Sequence, residues 1–337
     1  MLRRSRALRR PAALLIPLVL VSALTAACGE EATIASGALQ RTDAFEINGD
    51  VGSSPEVTWK GRMEADEAET EVVTDGDGAE LEDGDQAIVN YYVGNGFTQQ
   101  QALDTYAADQ APIVLPVGEE LPQPSSADPS DAEIARYLLD AFVADQVGAG
   151  DTVGTRKVAT VTSADITGVA GSVYDVGNED ALMIVIDIDS IVRSRPDGSP
   201  IKARPTWVPA ITAKDSAPAA LDFTGVDDPD GTLKTAVLYQ GTGDDVAKND
   251  LIVVNYLGQV YDADKAFDKS YGRGPFTTVL SQGAVIKGWD QALIGVAVGS
   301  RVMLEIPPKL GYGKDGQGDD IPGNSTLYFV IDVLAAG

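Results

Sequence analysis

The side chains that most often carry catalysis are scarce in this sequence. Among its 337 residues there is no histidine, and Cys28 is the only cysteine. A Ser-His-Asp or Cys-His system, a histidine metal cluster and an imidazole general base are therefore excluded. Catalysis by a pair of carboxylates remains possible, because the chain has 51 acidic residues, but no spacing singles out a pair. If the protein is an enzyme, we expect its reaction to depend on the shape of an apolar cleft more than on proton transfer.

One apolar stretch has the spacing of a helix that could line such a cleft. Residues 283–295 read GAVIKGWDQALIG, with Val285, Trp289 and Leu293 four residues apart, which predicts a short amphipathic helix. Gly288 interrupts it, although an interior glycine costs about 1 kcal/mol relative to alanine. We expect its missing side chain to let the helix lie close to a sheet.

Strand patterns on both sides of this helix supply the sheet. In residues 251–256, Ile252, Val254 and Tyr256 share one face, and residues 327–333 alternate in the same way. The expected fold class is α+β, an antiparallel sheet with one short helix packed on a face.

The pattern occurs twice along the chain. Three segments of the first half align, in order, with three of the second: 83–94 with 249–258, 153–158 with 298–303, and 180–187 with 325–332. The common order indicates a tandem duplication. We predict domains at 43–192 and 217–337, joined by 193–216, whose prolines are typical of an extended linker.

The first 27 residues differ from the rest of the chain. Five arginines precede an apolar segment, 12–27, that is short for a membrane-spanning helix. The sequence LTAAC at 24–28 resembles a bacterial lipobox. We therefore predict a signal peptide at 1–27, a lipidated Cys28 and a tether at 28–42.

This reading places the protein in the cell envelope, lipid-anchored at the extracytoplasmic face of the plasma membrane. The alternative is a plain secreted protein whose cysteine lies near the cleavage site by chance. An unpaired cysteine in an oxidising compartment favours the lipoprotein. The formal net charge of -26 repels phosphate backbones, so no nucleic-acid partner is expected.

The second copy resembles an FKBP-type peptidyl-prolyl cis-trans isomerase over its whole length. The resemblance rests on eight short motifs in the family's order: Val253–Tyr256, Ala266–Asp268, Gly274–Phe276, Val285–Trp289, Val298–Arg301, Gly311–Gly313, Ile321–Pro322 and Leu327–Phe329. It implies two tandem FKBP-like domains, each a curved antiparallel sheet wrapped around a short helix, with a pocket between helix and sheet.

The resemblance also implies which residues form the pocket. Three are expected to act in catalysis: Tyr256, Asp268 and Tyr312. Seven are expected to contact substrate: Phe267, Phe276, Val285, Ile286, Trp289, Ile321 and Phe329. Trp289 would form the floor under the proline ring. Asp268 would either orient Tyr256 or meet the twisted carbonyl, and the sequence leaves both open.

The implied activity is isomerisation of X-Pro bonds, which needs no cofactor. The implied partners are unfolded or partly folded exported proteins that contain proline, and macrolide inhibitors are a further implied class of ligand. A rival reading is a non-catalytic, chaperone-like or scaffold binding lipoprotein.

The first copy departs much further from the family pattern. The expected counterparts are Leu103-Asp104 for Phe267-Asp268, Phe142 for Trp289, Ile166-Thr167-Gly168 for the motif around Tyr312, and Val176-Gly177 for Ile321-Pro322. Tyr91 is retained. We expect little or no isomerase activity there, and a binding or spacer role instead.

Overall fold

Most of the chain is described by a computed structural model. It covers residues 41–65, 68–107, 110–124 and 126–337. Cys28, the predicted signal peptide and the predicted tether up to residue 40 lie outside this part of the chain. All described residues belong to one unit, Ala38–Gly337, which is mostly antiparallel β-sheet with few helices.

The N-terminal half builds a hairpin, a sheet and one long helix. Its elements are α1 (Arg41–Ala44), β1 (Phe45–Asn48), β2 (Glu56–Trp59), β3 (Glu69–Thr74), β4 (Gln86–Asn95), β5 (Gln100–Asp104), β6 (Ile113–Pro116), α2 (Asp131–Asp145), β7 (Arg156–Thr162), α3 (Ser163–Ile166) and β8 (Ala181–Ile191). A capping box starts α2, because the Ser130 hydroxyl accepts from the Glu133 amide and the Glu133 carboxylate accepts from the Ser130 amide.

The C-terminal half repeats this succession with a shorter helix. Its elements are β9 (Ser199–Pro200), β10 (Ala210–Lys214), β11 (Ala217–Asp222), β12 (Lys234–Gln240), β13 (Leu251–Val260), β14 (Asp268–Lys269), β15 (Phe276–Val279), α4 (Lys287–Ala292), β16 (Arg301–Ile306) and β17 (Leu327–Ala336).

The two sheets share one strand order. The order β3-β7-β8-β4-β5 in the first matches β12-β16-β17-β13-β14 in the second, and β6 pairs with β4 as β15 pairs with β13. The registers agree as well, since Tyr91 lies opposite Ile186 and Tyr256 lies opposite Ile331. Positions in the two halves can therefore be compared strand by strand.

The C-terminal core lies between α4 and one face of its sheet. Ile252 and Val254 point into it together with Trp289 of the helix. A Cβ added to Gly288 would lie 2.5 Å from Cγ2 of Ile306 on β16, closer than real Cβ contacts allow. The expectation that Gly288 brings the helix close to the sheet is confirmed.

A β-hairpin covers the opposite face of each sheet. The β1–β2 hairpin packs Trp59 against the face that carries Tyr92. The β10–β11 hairpin, with Trp207 just before it, covers the face that carries Tyr328, and the Trp207 and Tyr328 ring centroids are 6.4 Å apart.

The segment predicted as an extended linker has more structure than its prolines suggested. The predicted boundary between 216 and 217 falls in the turn of the β10–β11 hairpin, and β9 pairs with β12. The Arg193 amide donates to the Leu334 carbonyl at 3.0 Å, and side chains of both halves share one small apolar cluster that includes Ile88 and Leu251. The two sheets are thus in direct contact.

Candidate active site

A cleft of about 360 Å³ opens between α4 and the C-terminal sheet. It brings together all but one of the ten predicted pocket residues: Tyr256, Phe267, Asp268, Phe276, Val285, Ile286, Trp289, Tyr312 and Phe329. The exception is Ile321, which is buried in the adjoining core. β13, β14, β15, α4 and β17 each contribute at least one side chain.

Trp289 forms the floor of the cleft. Its side chain is 3% exposed, and its ring meets those of Tyr256 and Phe329 edge to face at centroid distances of 5.3 Å each. Phe276 stands at the rim, 6.3 Å from the indole, and is 37% exposed. Edge-to-face packing fixes each ring against its neighbours, so the cleft is formed before a ligand enters.

The carboxylate of Asp268 fixes one of the two tyrosine hydroxyls of the cleft. The Tyr256 hydroxyl donates a short hydrogen bond to Oδ2 of Asp268. Oδ1 of Asp268 accepts from the Arg273 guanidinium at 2.5 Å and from the Lys269 amide at 2.8 Å. The Tyr256 amide donates to the Ser270 hydroxyl at 2.9 Å, which holds β13 against the chain that follows β14.

The electrostatics keep this pair in the states that its hydrogen bond requires. Burial and the hydrogen bond to Asp268 raise the pKa of Tyr256 well above its ordinary value. Burial alone would raise the pKa of Asp268, but the hydrogen bonds from Tyr256 and Arg273 lower it below the ordinary carboxyl value. Tyr256 is thus a neutral donor and Asp268 a charged acceptor at neutral pH, and the geometry favours the orienting role for Asp268.

Tyr312 presents the other hydroxyl of the cleft. It follows a turn of 3₁₀-helix, Pro308–Leu310, and is half-buried. Burial and the charge of Asp268 raise its pKa. Within the described part of the chain its hydroxyl makes no hydrogen bond, so it is available to a ligand carbonyl. Ile286 borders the cleft from the position just before α4.

Sequence reasoning missed several residues that shape the cleft. Arg273, five residues after Asp268, anchors that carboxylate. Gly283 and Ala284 line the cleft. A Cβ on Gly258 would lie 2.5 Å from Phe329 and 2.6 Å from Phe267, so only glycine leaves room for both rings. The alternation of β13 could have indicated Gly258, because Gly258 lies on the same face of the strand as Tyr256.

In the N-terminal half, the corresponding tyrosine hydroxyl is paired with the helix. Tyr91 is fully buried, and its hydroxyl donates to Asp140 on α2 at 2.6 Å. Arg136, one turn earlier, pairs with Asp140 at 2.8 Å and lies over the Tyr91 ring. The hydroxyl of Tyr91 is therefore bonded to the helix of its own half, whereas the hydroxyl of Tyr256 is bonded to Asp268 at the cleft.

Strand register corrects one of the predicted correspondences. Val93 lies at the position of Gly258. The prediction that Leu103-Asp104 stands for Phe267-Asp268 is wrong by one residue, because Leu103 pairs with Val93 as Asp268 pairs with Gly258. No carboxylate thus stands at the position of Asp268.

Other predicted counterparts are also engaged within their own half. Phe142 is half-buried and packs on the N-terminal core, and Val176 is buried there. Thr167, the expected counterpart of Tyr312, is buried and shares a hydrogen bond with Ser163 at 3.0 Å.

Neither a membrane-spanning helix nor a metal-binding cluster occurs among the residues that the structure describes. None of the helices there is long and apolar enough to cross a membrane. In the same residues, no three or more carboxylate, histidine or cysteine side chains are grouped so that they could hold a metal ion.

The C-terminal fold is an antiparallel sheet packed on a short helix, with an aromatic cleft between them. Comparison with known sequences identifies the family that has this arrangement. Residues 243–334 match the family model of the FKBP-type peptidyl-prolyl cis-trans isomerases. FK506-binding protein 1 of Aspergillus oryzae is 38% identical over 112 residues, which cover 30% of this chain and 96% of that protein. This chain belongs to the FKBP-type peptidyl-prolyl cis-trans isomerase family.

Other relatives share only part of their length with this chain. FK506-binding protein 2 of Dictyostelium discoideum is 48% identical over 86 residues, 25% of this chain and 64% of that protein. The crystal structure of FkpA from Escherichia coli is 40% identical, with 31% of this chain and 47% of that chain covered and a TM-score of 0.29. The chain thus spans less than two thirds of the Dictyostelium protein.

Proposed function

We propose that the chain catalyses cis-trans isomerisation of X-Pro peptide bonds in the cleft of its C-terminal sheet. The observation that carries the proposal is the aromatic cleft floored by Trp289, with one hydroxyl fixed at Tyr256 and another free at Tyr312. Membership of the isomerase family supports the same activity.

The reaction needs no bond to break, which suits a chain without histidine. Rotation about the imide must overcome a barrier of about 18–20 kcal/mol, because the planar bond is resonance-stabilised. An apolar cleft that strips water from the imide and fits the twisted bond better than the planar one lowers this barrier. Even a millionfold acceleration requires only about 8 kcal/mol.

The side chains of the cleft divide this work. Trp289 receives the proline ring, and the aliphatic and aromatic walls exclude water from it. The Tyr312 hydroxyl donates to a substrate carbonyl. Asp268, held by Arg273, fixes the hydroxyl of Tyr256, so that the polar edge of the cleft does not rearrange during rotation.

The substrates we propose are exported proteins that are unfolded or partly folded, with folding assistance as the biological role. This rests on the sequence of residues 1–28, in which a signal peptide ends at a lipobox-like cysteine. The protein would be anchored by lipidated Cys28 at the extracytoplasmic face of the plasma membrane. Macrolide inhibitors are proposed as ligands of the same cleft on the basis of the family.

The N-terminal half is proposed to be a second FKBP-like domain that arose by duplication and lost catalysis. The common strand order and the matching registers of the two sheets support a common origin. The Arg136–Asp140 pair, which engages the Tyr91 hydroxyl, supports the loss of catalysis.

A second candidate function is non-catalytic holding of unfolded chains by this half. It is favoured by an open groove between α2 and β6, lined by apolar residues such as Ile113, Leu121 and Pro122. Titration of an unfolded protein would show tight binding under this alternative, without any change in isomerisation rate.

The test of the leading proposal is a rate measurement on the full chain. Cis-trans exchange of a proline peptide would be followed by NMR exchange spectroscopy, with and without protein. We expect exchange to rise far above the uncatalysed rate, which corresponds to tens to hundreds of seconds. An unchanged exchange rate in the presence of folded protein would refute the proposed activity.

A further inference from the structure

A second cavity adjoins the candidate active site around the edge of the sheet. Its volume is about 460 Å³. Phe267 and Asp268 line both this cavity and the cleft, so the two are continuous at these residues. Ala219 of the β10–β11 hairpin forms its far wall. We call this cavity the edge groove.

The edge groove is basic in a chain that is strongly acidic. Acidic residues outnumber basic ones 51 to 25 overall, yet the groove is lined by Lys265, Lys269 and Arg273 and by one acid, Asp268. Arg273 is committed to Asp268, whose Oδ1 lies 2.5 Å from the guanidinium. The charge of that pair is therefore internally balanced.

The two lysines retain their charge for a ligand. The Lys265 side chain is 83% exposed, and its recorded ion pair is a long one, 3.9 Å to Asp320, which is itself exposed. Lys269 is exposed, and its ammonium makes no ion pair with any described residue. Two exposed ammonium groups, one unpaired within the described residues and the other only distantly paired, create a local positive potential that attracts anions.

The position of these lysines relates them to a polypeptide bound in the cleft. Asp268 and Lys269 form β14, the edge strand of the sheet, so the residue after the cleft carboxylate already belongs to the groove. An extended chain advances roughly 3.3 Å per residue. A substrate whose proline sits on Trp289 would bring a residue roughly two to four positions away over this edge.

We propose that the edge groove is a specificity subsite that binds an acidic side chain of the substrate near its proline, through Lys265 and Lys269. The inference rests on the proposed function, because the cleft supplies the proline that sets the distance. An anionic lipid headgroup would satisfy the same charges, but continuity with the cleft favours the polypeptide.

Binding of two fluorescent peptides to the full chain tests the subsite. Both contain one proline; one carries Asp and Glu at two to four residues from it, and the other carries Asn and Gln at the same positions. We expect the acidic peptide to bind about two- to fivefold more tightly at low salt, as for exposed ion pairs. The difference should vanish near about 0.5 M salt, where screening is short-ranged.

Matched variants assign the preference to the groove. In Lys265→Gln/Lys269→Gln the affinity ratio of the two peptides should fall to about one. The control Lys202→Gln/Lys248→Gln removes two exposed lysines elsewhere and should keep the ratio. A protein that binds both peptides equally, or a groove variant that keeps the preference, would overturn the subsite.

Two further readouts separate the remaining explanations. If vesicles with anionic lipid bind through the lysine pair while the acidic peptide shows no preference, the groove is a lipid site and the proposal falls. Exchange rates of the neutral peptide are measured in parallel, because their failure to rise would refute isomerase activity. The binding ratio still decides for or against the subsite in that case.

Discussion

At the scale of single residues, Gly258 distinguishes the half of the chain that carries the candidate active site from the other half. Its missing side chain leaves space for Phe267 and Phe329, whose atoms would lie 2.6 and 2.5 Å from an added Cβ. The equivalent Val93 is buried in the N-terminal core. Any side chain with a Cβ at this position is therefore incompatible with the aromatic walls of the cleft.

Gly258→Val should close the cleft. The new side chain must displace Phe267 or Phe329, and overpacking of this kind costs about 1–3 kcal/mol of stability. We expect weaker binding of a proline peptide and a lower kcat/KM, measured alongside the free energy of unfolding. Gly148→Ala is the control, because an added Cβ there meets no atom within 4 Å; equal losses in both variants would contradict this account.

Asp268 makes a prediction about pH. Its folded-state pKa is lowered, because hydrogen bonds from Tyr256 and Arg273 outweigh the burial that would raise it. Its ordering effect is therefore complete above the ordinary carboxyl pKa and is lost as pH falls through the lowered folded-state pKa. With no histidine in the chain, isomerase activity should be flat from about pH 5.5 to 8. It should decline only below about pH 4.

Asp268→Asn is the comparison that assigns the acidic limb. This variant should be less active at neutral pH and should show no further decline in acid. A bell-shaped profile with a midpoint near pH 6.5 in the parent chain would require a titrating group that this site does not contain.

At the scale of elements, the approach of α4 to β16 sets the depth of the cleft. Gly288 touches Ile306 so closely that an added Cβ would lie 2.5 to 3.0 Å from three of its side-chain atoms. Since Trp289 follows directly, any outward shift of α4 moves the floor under the substrate.

Gly288→Ala should therefore destabilise the protein although alanine favours helices. The propensity gain is about 1 kcal/mol, and overpacking costs about 1–3 kcal/mol, so we expect a net loss in stability together with lower activity. Urea unfolding and kcat/KM measure the two effects. Removing the obstacle in Gly288→Ala/Ile306→Ala should cost less than the sum of the single changes, and strict additivity would contradict close packing here.

The hairpins show what strand and helix patterns leave out. Residues 210–222 pair as β10 and β11 and cover a sheet face, whereas prolines at 200, 205 and 209 suggested an extended segment. Proline restricts its own residue and the one before it, but it does not report the strands that follow. Packing on Tyr328 and its neighbours decided the structure of this segment.

At the scale of the whole molecule, much of the C-terminal site was predictable and the N-terminal half was not. Apolar alternation and helical spacing are local, and they placed Tyr256, Trp289 and Phe329 correctly on their elements. In the first half β4 and β5 shift register after Val93, where Ala102 is the extra residue of a bulge. This bulge leaves the spacing from the tyrosine unchanged, since Tyr91 to Leu103 and Tyr256 to Asp268 are both 12 residues apart. The error therefore came from matching Leu103-Asp104 to Phe267-Asp268 by residue type.

The junction between the halves carries a titratable group of its own. Asp189 borders a cavity of about 440 Å³ lined by both halves, with Val153 on one side and Val298 on the other. Burial raises the pKa of Asp189 to about 7, opposed by the hydrogen bond from Asn90 and reinforced by the charge of Asp187.

Stability should therefore depend on pH at this junction. Between the unfolded-state pKa of about 3.9 and the folded-state pKa, the folded protein binds the proton of Asp189 more tightly than the unfolded chain does. The free energy of unfolding therefore falls as pH rises from about 4 to about 7. Asp189→Asn should be more stable than the parent at pH 8 and should lose this slope. Urea titrations at pH 5 and pH 8 test it, with exposed Glu119→Gln as control; identical slopes in parent and Asp189→Asn would count against the assignment.

We propose that one half of the chain isomerises proline bonds and the other does not. The most direct measurement compares Trp289→Leu with Phe142→Leu in the full chain, by NMR exchange of a proline peptide, after thermal unfolding shows that both variants are folded. Losing the aromatic floor should reduce kcat/KM at least about tenfold, a change of about 1.4 kcal/mol, whereas Phe142→Leu should leave it near the parent value. Full activity in Trp289→Leu, or an equal loss in Phe142→Leu, would contradict the claim.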